Sequence, residues 1–322
     1  MLADLPLSDL QRYRPDIAEP ADFGEFWAGE LGAARSDRSE PEFVPADSQA
    51  RHAAVFDVTF AGYAGDPVRA WLLVPHRAEP GAAVIVQYVG YGGGRGDPFD
   101  WLTWSCAGHP HLIMDCRGQG GAWRSADTAD PGGDGAPRAA GFLTQGIADP
   151  HQHYYTRLFI DAARAVDAVR AHPAAAGRPV VTAGGSQGGA LAIAAAHLAG
   201  DVAAALPDVP FLAHPRRALD VTDTLPYREL AEFCRVNPDR AEQAFTTLAY
   251  IDVVNHGKYA TAPALFSVGL ADTVTPASTV FAAFNHYAGP KDIAVYPYNG
   301  HEGGGTRHFL AQLAFLGQAG LS

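Results

Sequence analysis

Residues 180–192 read Val180-Val181-Thr182-Ala183-Gly184-Gly185-Ser186-Gln187-Gly188-Gly189-Ala190-Leu191-Ala192. A short, continuous apolar run ends in glycines, and an alanine-rich helical pattern begins a few residues later. That order predicts a strand buried on both faces, a sharp turn and a helix. The turn carries G-x-S-x-G. In a strand–turn–helix setting, such a turn forces the serine into a strained backbone, and the glycines let neighbouring backbones come close. The Ser186 hydroxyl then stands exposed above a helix N-terminus, and the Gln187 N–H points to where an oxyanion would form. Without that setting the pattern is weak, because the chain has 35 glycines. A phosphate-binding loop is excluded: no lysine follows these glycines, and Lys258 and Lys291 stand outside any G-x-x-x-x-G-K pattern.

Outward from this turn the chain alternates strand and helix signals. Short β-rich runs occupy 53–60, 68–74, 83–88, 111–115, 180–183, 202–206, 264–268 and 293–296. Helical patterns occupy 155–171, 188–199, 276–288 and 303–317; the first carries Leu158, Ala162, Val166 and Val169 at three-to-four spacing. Alternation of this kind predicts an α/β fold whose central sheet is mostly parallel and flanked by helices. One domain over 1–322 is expected. It has an N-terminal extension, 1–50, in which Leu5, Leu7 and Leu10 pin the arm and Phe23, Phe26 and Trp27 form a helical face. Residues 32–51 read as a connector, and 209–260 as a small cap-like insertion.

Lys and Arg total 23 against 35 acidic residues, for a net charge of −12. A chain without a basic stripe is a poor partner for nucleic acid or an anionic membrane surface. Apolar residues at 48% and charged residues at 18% exclude a disordered chain. Cys106, Cys116 and Cys234 are odd in number and far apart, so no disulfide framework is implied. Residues 1–20 lack the apolar core of a signal peptide, and no run is apolar enough to span a membrane. A soluble, cytoplasmic protein is expected.

A serine nucleophile needs a base, and the base needs an orienting acid. In the Ser, Asp, His chain order, His301 fits the base: it follows the strand at 293–296 in the loop Tyr298-Asn299-Gly300-His301-Glu302-Gly303. His197 and His308 fall within helices, and His286 lies near a helix end. Two aspartates follow strands, Asp208 and Asp272. Asp272 is the better orienting acid, because its loop and that of His301 follow successive strands; Asp208 reads as a cap or turn residue. A second oxyanion donor is expected from the glycine-rich loop after 83–88, at the Tyr91 N–H. That loop does not fit G-x-G-x-x-G, since Arg95 holds a required glycine position. Arg117 reads as half of a buried ion pair. His109/His111 and His151/His153 are H-x-H pairs with no carboxylate or cysteine to complete a metal site, so no metal and no cofactor is expected. Tyr91, Trp101, Trp104 and Phe211 are core aromatics or pocket walls.

Arg117-Gly118-Gln119-Gly120, Gly184-Gly185-Ser186-Gln187-Gly188-Gly189 and His301-Glu302 resemble the three signature motifs of carbohydrate esterase family seven. These are the acetyl xylan esterases and cephalosporin-C deacetylases. The similarity extends through Leu5-Pro6-Leu7, Tyr13-Arg14-Pro15, Gly90-Tyr91, Asp100-Trp101-Leu102, Tyr154-Tyr155, Asp208-Val209-Pro210-Phe211-Leu212 and 281–290. The resemblance implies an α/β-hydrolase fold, a Ser186, Asp272 and His301 triad, and an oxyanion hole from the Tyr91 and Gln187 N–H groups. It implies removal of acetyl from sugar esters and cephalosporin C, small-molecule esters as partners, and a homo-hexamer. By the same analogy Tyr91 and Pro210 wall a small acyl pocket. Two positions depart from the family pattern: Val89 replaces a His, on the alcohol side, and Cys116 replaces a Thr. A prolyl-peptidase-like hydrolase shares the triad order, but 209–260 is too short for a propeller. A non-catalytic hydrolase-fold binding protein would typically lack a triad member, and none is lacking.

Overall fold

Nine strands form one mixed sheet in the order β1-β2-β3-β5-β4-β6-β7-β8-β9. They are β1 (Glu42–Pro45), β2 (Ala53–Ala61), β3 (Pro67–Pro75), β4 (Val84–Tyr88), β5 (His111–Met114), β6 (Val180–Gly185), β7 (Ala204–Asp208), β8 (Ala264–Gly269) and β9 (Lys291–Tyr296). The computed structural model describes residues 4–79, 81–131 and 140–322. β1, β2, β3 and β5 pair antiparallel in turn, and every pairing from β5 through β4 to β9 is parallel. The expectation of a mostly parallel sheet holds for the half that carries the chemistry.

The helices are α1 (Leu7–Leu10), α2 (Phe23–Arg35), α3 (Leu102–Cys106), α4 (Tyr154–Val169), α5 (Gln187–Ala199), α6 (Pro215–Val221), α7 (Tyr227–Val236), α8 (Ala241–Ile251), α9 (Val253–Gly257), α10 (Ala277–His286) and α11 (Gly305–Gln318). Val84, Val86 and Tyr88 on one face of β4 join the core of α4 and α5, through Leu158, Val166 and Ile193. Ala83 and Ile85 join the opposite core, with Trp104 of α3 and Leu316 of α11. A strand covered on both faces needs no polar alternation, which is why Val180 to Ala183 are apolar but for Thr182, whose buried hydroxyl donates to the Ala192 carbonyl at 3.0 Å. The nearly all-apolar α5 is buried all round, and Gly200 closes it at φ 82°.

One expectation for the extension needs correction, while the leucine pin holds: Leu10 is buried, with Leu5 and Leu7 packed against its cluster. Residues 32–51 are not only a connector, since β1 lies there and pairs with β2. It is a four-residue, mostly exposed edge strand, so it carries no apolar alternation to betray it. The arm is also fastened by polar contacts. Asp4 accepts from Arg217 Nη2 at 2.9 Å and from the Ser278 N–H at 2.7 Å, and the Trp27 indole donates to the Tyr250 carbonyl at 3.1 Å. The segment between β7 and β8 holds α6, α7, α8 and α9.

Arg117 does form the expected buried pair. Its Nε and Nη2 meet the Asp161 carboxylate of α4 at 2.6 and 2.8 Å, and its Nη1 reaches Asp66 at 2.9 Å. Both Arg117 and Asp161 are wholly buried. Replacing Arg117 by Met strands the Asp161 charge in the interior, so Arg117→Met is expected to lower stability by about 3–5 kcal/mol. Urea unfolding measures this, and a loss under about 1 kcal/mol would show that the pair is well hydrated.

Candidate active site

Ser186 occupies the turn between β6 and α5 with φ 59° and ψ −118°, a region that non-glycine residues rarely enter. Its neighbours must be glycine for a steric reason. A Cβ on Gly188 would sit 2.2 Å from the Tyr88 carbonyl oxygen, and one on Gly184 2.6 Å from Gly188 backbone atoms. The turn is pinned from β7: the Ser186 N–H donates to the Asp208 carbonyl at 2.9 Å, and the Phe211 N–H donates to the Ser186 carbonyl at 3.0 Å.

His301 and Asp272 come together as expected. His301 Nδ1 lies 2.9 Å from Asp272 Oδ2. The carboxylate is fully buried and fixed from the other side: Oδ1 accepts the Val274 and Thr275 N–H groups at 2.7 and 3.0 Å, and Thr275 Oγ1 donates to Oδ2 at 2.8 Å. The two loops are tied together, since the Ala271 N–H donates to the Asn299 carbonyl at 3.0 Å. With Nδ1 donating to a carboxylate, Nε2 of the neutral ring is the free acceptor. Ser186 and His301 line the same cavity of 570 Å³. The hydroxyl makes no hydrogen bond to the ring in this structure, and contacts of this kind often tighten only when substrate is in place.

Neither the Tyr91 nor the Gln187 N–H donates a hydrogen bond among the described residues. Gln119, of the Arg117-Gly118-Gln119-Gly120 motif, buttresses both segments. Its Oε1 accepts the Gly92 N–H at 2.6 Å, and its Nε2 donates to Gln187 Oε1 and to the Tyr154 hydroxyl at 2.8 Å each. Gln187 Oε1 also accepts from Tyr155 at 2.9 Å, and Gln187 Nε2 donates to the Val89 carbonyl at 3.1 Å. The Tyr91 hydroxyl donates to Glu229 of α7. Glu229 also accepts the Gly141 and Leu143 N–H groups at 2.8 and 3.1 Å. Burial, followed by the Glu229 charge, drives the Tyr91 pKa far above its usual value, so the phenol stays protonated.

Tyr91 lines the cavity, together with Trp123, Leu225, Pro226 and Val274. Pro210 does not, which corrects the expected wall. Val209 sits at φ 37°; it lines the cavity itself, while Pro210 is buried with its Cα against Gly189. The proline that lines the cavity with Tyr91 is Pro226. Trp123 also steadies the Tyr91 loop, its indole donating to the Tyr91 carbonyl at 2.9 Å. Trp101 lines the cavity too, Trp104 lies deeper, and Phe211 is core.

Asp208 is the last residue of β7, not part of a loop beyond it. It accepts from Gln312 Nε2 at 2.9 Å and faces His308 Nε2 at 2.7 Å, so its carboxylate is engaged by α11 and makes no hydrogen bond to His301, although both residues line the cavity. Burial raises its pKa. The H-x-H histidines bind protein groups: His109 and His111 meet the Ala83 and Trp101 carbonyls, His151 meets Glu30, and His153 meets the Leu143 carbonyl. The residues that sequence reasoning missed are Glu229, Trp123, Leu225, Pro226 and Val274. No local motif marks them.

A match to the family described as Acetyl xylan esterase (AXE1) runs over residues 1–318. The chain belongs to this family. Its chemistry is carboxylic ester hydrolysis. An acetyl xylan esterase from Paenibacillus sp. R4 superposes with a TM-score of 0.88 at 36% identity, covering 98% of this chain and 99% of that one. Acetyl xylan esterase 1 from Thermoanaerobacterium sp. JW/SL YS485 gives a TM-score of 0.86 at 33% identity, covering 99% and 98%. Acetyl esterase Axe7A of Xylanibacter ruminicola is 31% identical over 163 residues, 50% of this chain but only 36% of that protein. These relatives give the mixed sheet its place among α/β-hydrolase esterases. In this esterase the two departures from the family motifs touch each other. The Cys116 thiol lies 3.8 Å from the Val89 carbonyl, and Gln187 Nε2 lies 3.5 Å from Cys116 Sγ. Val89 is buried and is not a lining residue of the cavity, so it does not form the alcohol side directly.

Proposed function

We propose that the protein is a serine esterase that removes acetyl groups from acetylated xylo-oligosaccharides, and from cephalosporin C, through an acetyl-enzyme on Ser186. The carrying observation is the His301–Asp272 hydrogen bond of 2.9 Å, in a cavity that Ser186 shares. His301 Nε2 takes the Ser186 proton as Oγ attacks the acetyl carbonyl. Asp272 stabilises the imidazolium and holds its tautomer. The Tyr91 and Gln187 N–H groups receive the oxyanion, each worth about 10²–10³ in turnover. His301 then protonates the departing sugar oxygen and takes a proton from the water that releases acetate.

Tyr91, Trp123, Leu225, Pro226 and Val274 wall the cavity onto which Ser186 opens, and we assign to these large or rigid groups a small acyl site beside the serine. The butyrate ester of p-nitrophenol is expected to have a kcat/KM at least about tenfold below that of the acetate, since a few misplaced methylenes cost on the order of 1–3 kcal/mol each. Equal values for the two esters would remove the small-pocket assignment. The net charge of −12 favours neutral sugar esters over nucleic acid. No helix among the described residues is long and apolar enough to cross a membrane. With the family resemblance we place the enzyme in the cytoplasm, as a homo-hexamer of one-domain subunits, with 1–50 as extension and 209–260 as cap, and with no metal or cofactor in the chemistry.

A further inference from the structure

Beside the active-site cavity lies a second one of 290 Å³, between the sheet, α3 and α11. Gln87, Trp101, Gly185 and Asp208 line both. The two spaces are therefore neighbours that share walls, one of them at Gly185, the residue before Ser186. At its inner end the second cavity is lined by His111 and Trp104, and at its rim by Thr306 of α11.

His111 is 1% exposed, with Nδ1 3.1 Å from the Trp101 carbonyl oxygen. A carbonyl only accepts, so Nδ1 carries the ring proton. Burial holds the ring neutral by pushing its pKa down to about 3. Nε2 is then a bare acceptor, and it has no hydrogen-bond partner among the described residues. Buried acceptors of this kind are rare in folded proteins and call for a donor. The chemistry of the walls narrows the choice of donor. No Lys or Arg is among the lining residues, whereas Asp100 and Asp208 are, so an anion such as acetate is disfavoured. Amide and hydroxyl groups of Gln87, Thr103 and Thr306, with the flat Trp101 and Trp104, suit a neutral ring bearing several hydroxyls.

We propose that this second cavity is a subsite for a neutral pyranose, the sugar unit adjoining the acetylated one, whose hydroxyl donates to His111 Nε2. The proposal rests on the esterase reading above and adds the binding of a second ring. Three substrates separate the two: p-nitrophenyl acetate, monoacetylated xylose and monoacetylated xylobiose. The wild type is expected to favour the xylobiose ester over the xylose ester by about tenfold in kcat/KM, the effect of one or two neutral hydrogen bonds, carried in KM. His111→Phe keeps the ring shape and removes the acceptor. It should erase that preference and leave p-nitrophenyl acetate turnover within twofold. Since His111 lies in the core, Thr306→Trp gives an independent arm: Thr306 is exposed on the first turn of α11, and the indole blocks the cavity mouth with the same expected loss. Equal wild-type values for the two sugar esters, or a preference kept in both variants as a merely water-filled cavity would give, overturns the subsite and leaves the esterase standing. A wild type inert on p-nitrophenyl acetate and both sugar esters overturns the esterase reading, and the subsite with it.

Discussion

Ser186→Ala is expected to lower kcat for acetyl ester hydrolysis by about 10⁴–10⁶-fold, because the attacking oxygen is lost while the cavity and the oxyanion donors remain. The change removes one partly exposed oxygen that makes no hydrogen bond to His301, so folding should be little affected. Alanine tolerates the backbone at φ 59° no better than serine does, so the strain of the turn stays. KM and the melting temperature should therefore hold while turnover collapses. Steady-state kinetics with p-nitrophenyl acetate, beside a thermal scan, reads both. A variant retaining more than about a hundredth of wild-type kcat would mean that another group attacks the ester.

The second large effect concerns Asp272→Asn, and its sign follows from the two oxygens of the carboxylate. Oδ1 accepts two backbone N–H groups, from Val274 and Thr275. In the variant the amide oxygen must stay there, because an NH₂ group cannot accept those donors. The amide nitrogen then takes the place of Oδ2, 2.9 Å from His301 Nδ1. It can only donate, so His301 is forced to accept at Nδ1 and to carry its proton on Nε2, where the base needs a lone pair. A loss of about 10⁴ in kcat near neutral pH is expected, with the fold intact. A loss under tenfold would show that Asp272 does not set the tautomer of His301.

The parts of this site that were legible in the sequence share a physical cause. A strand covered on both faces must be an apolar run, and a turn as tight as that at Ser186 must be built from glycines. Both leave contiguous marks, as Val180 to Gly189 do. Asp272 and His301 follow successive strands, so strand order alone makes their loops neighbours. The cavity walls left no such mark. Trp123, Leu225, Pro226 and Val274 arrive from loops far apart in the chain, and only the packed structure gathers them. Pro210 was expected at the wall only by analogy with the family. The left-handed turn at Val209 sends it instead under α5. Glu229 was equally silent: a carboxylate on a helix reads as a solvated face until Tyr91, Gly141 and Leu143 are found donating to it. Gln119 shows the opposite case, a motif residue whose position was visible but whose work, joining the Tyr91 loop to Gln187, needed the structure.

The direct test of the account is to catch the covalent intermediate. The enzyme is mixed with an acetyl ester, quenched in acid within milliseconds, digested, and its peptides weighed. The account predicts one acetyl group per chain, on Ser186, appearing before steady-state acetate release and absent from Ser186→Ala. Steady turnover with no acetylated peptide, or with the acetyl group on another residue, would contradict it.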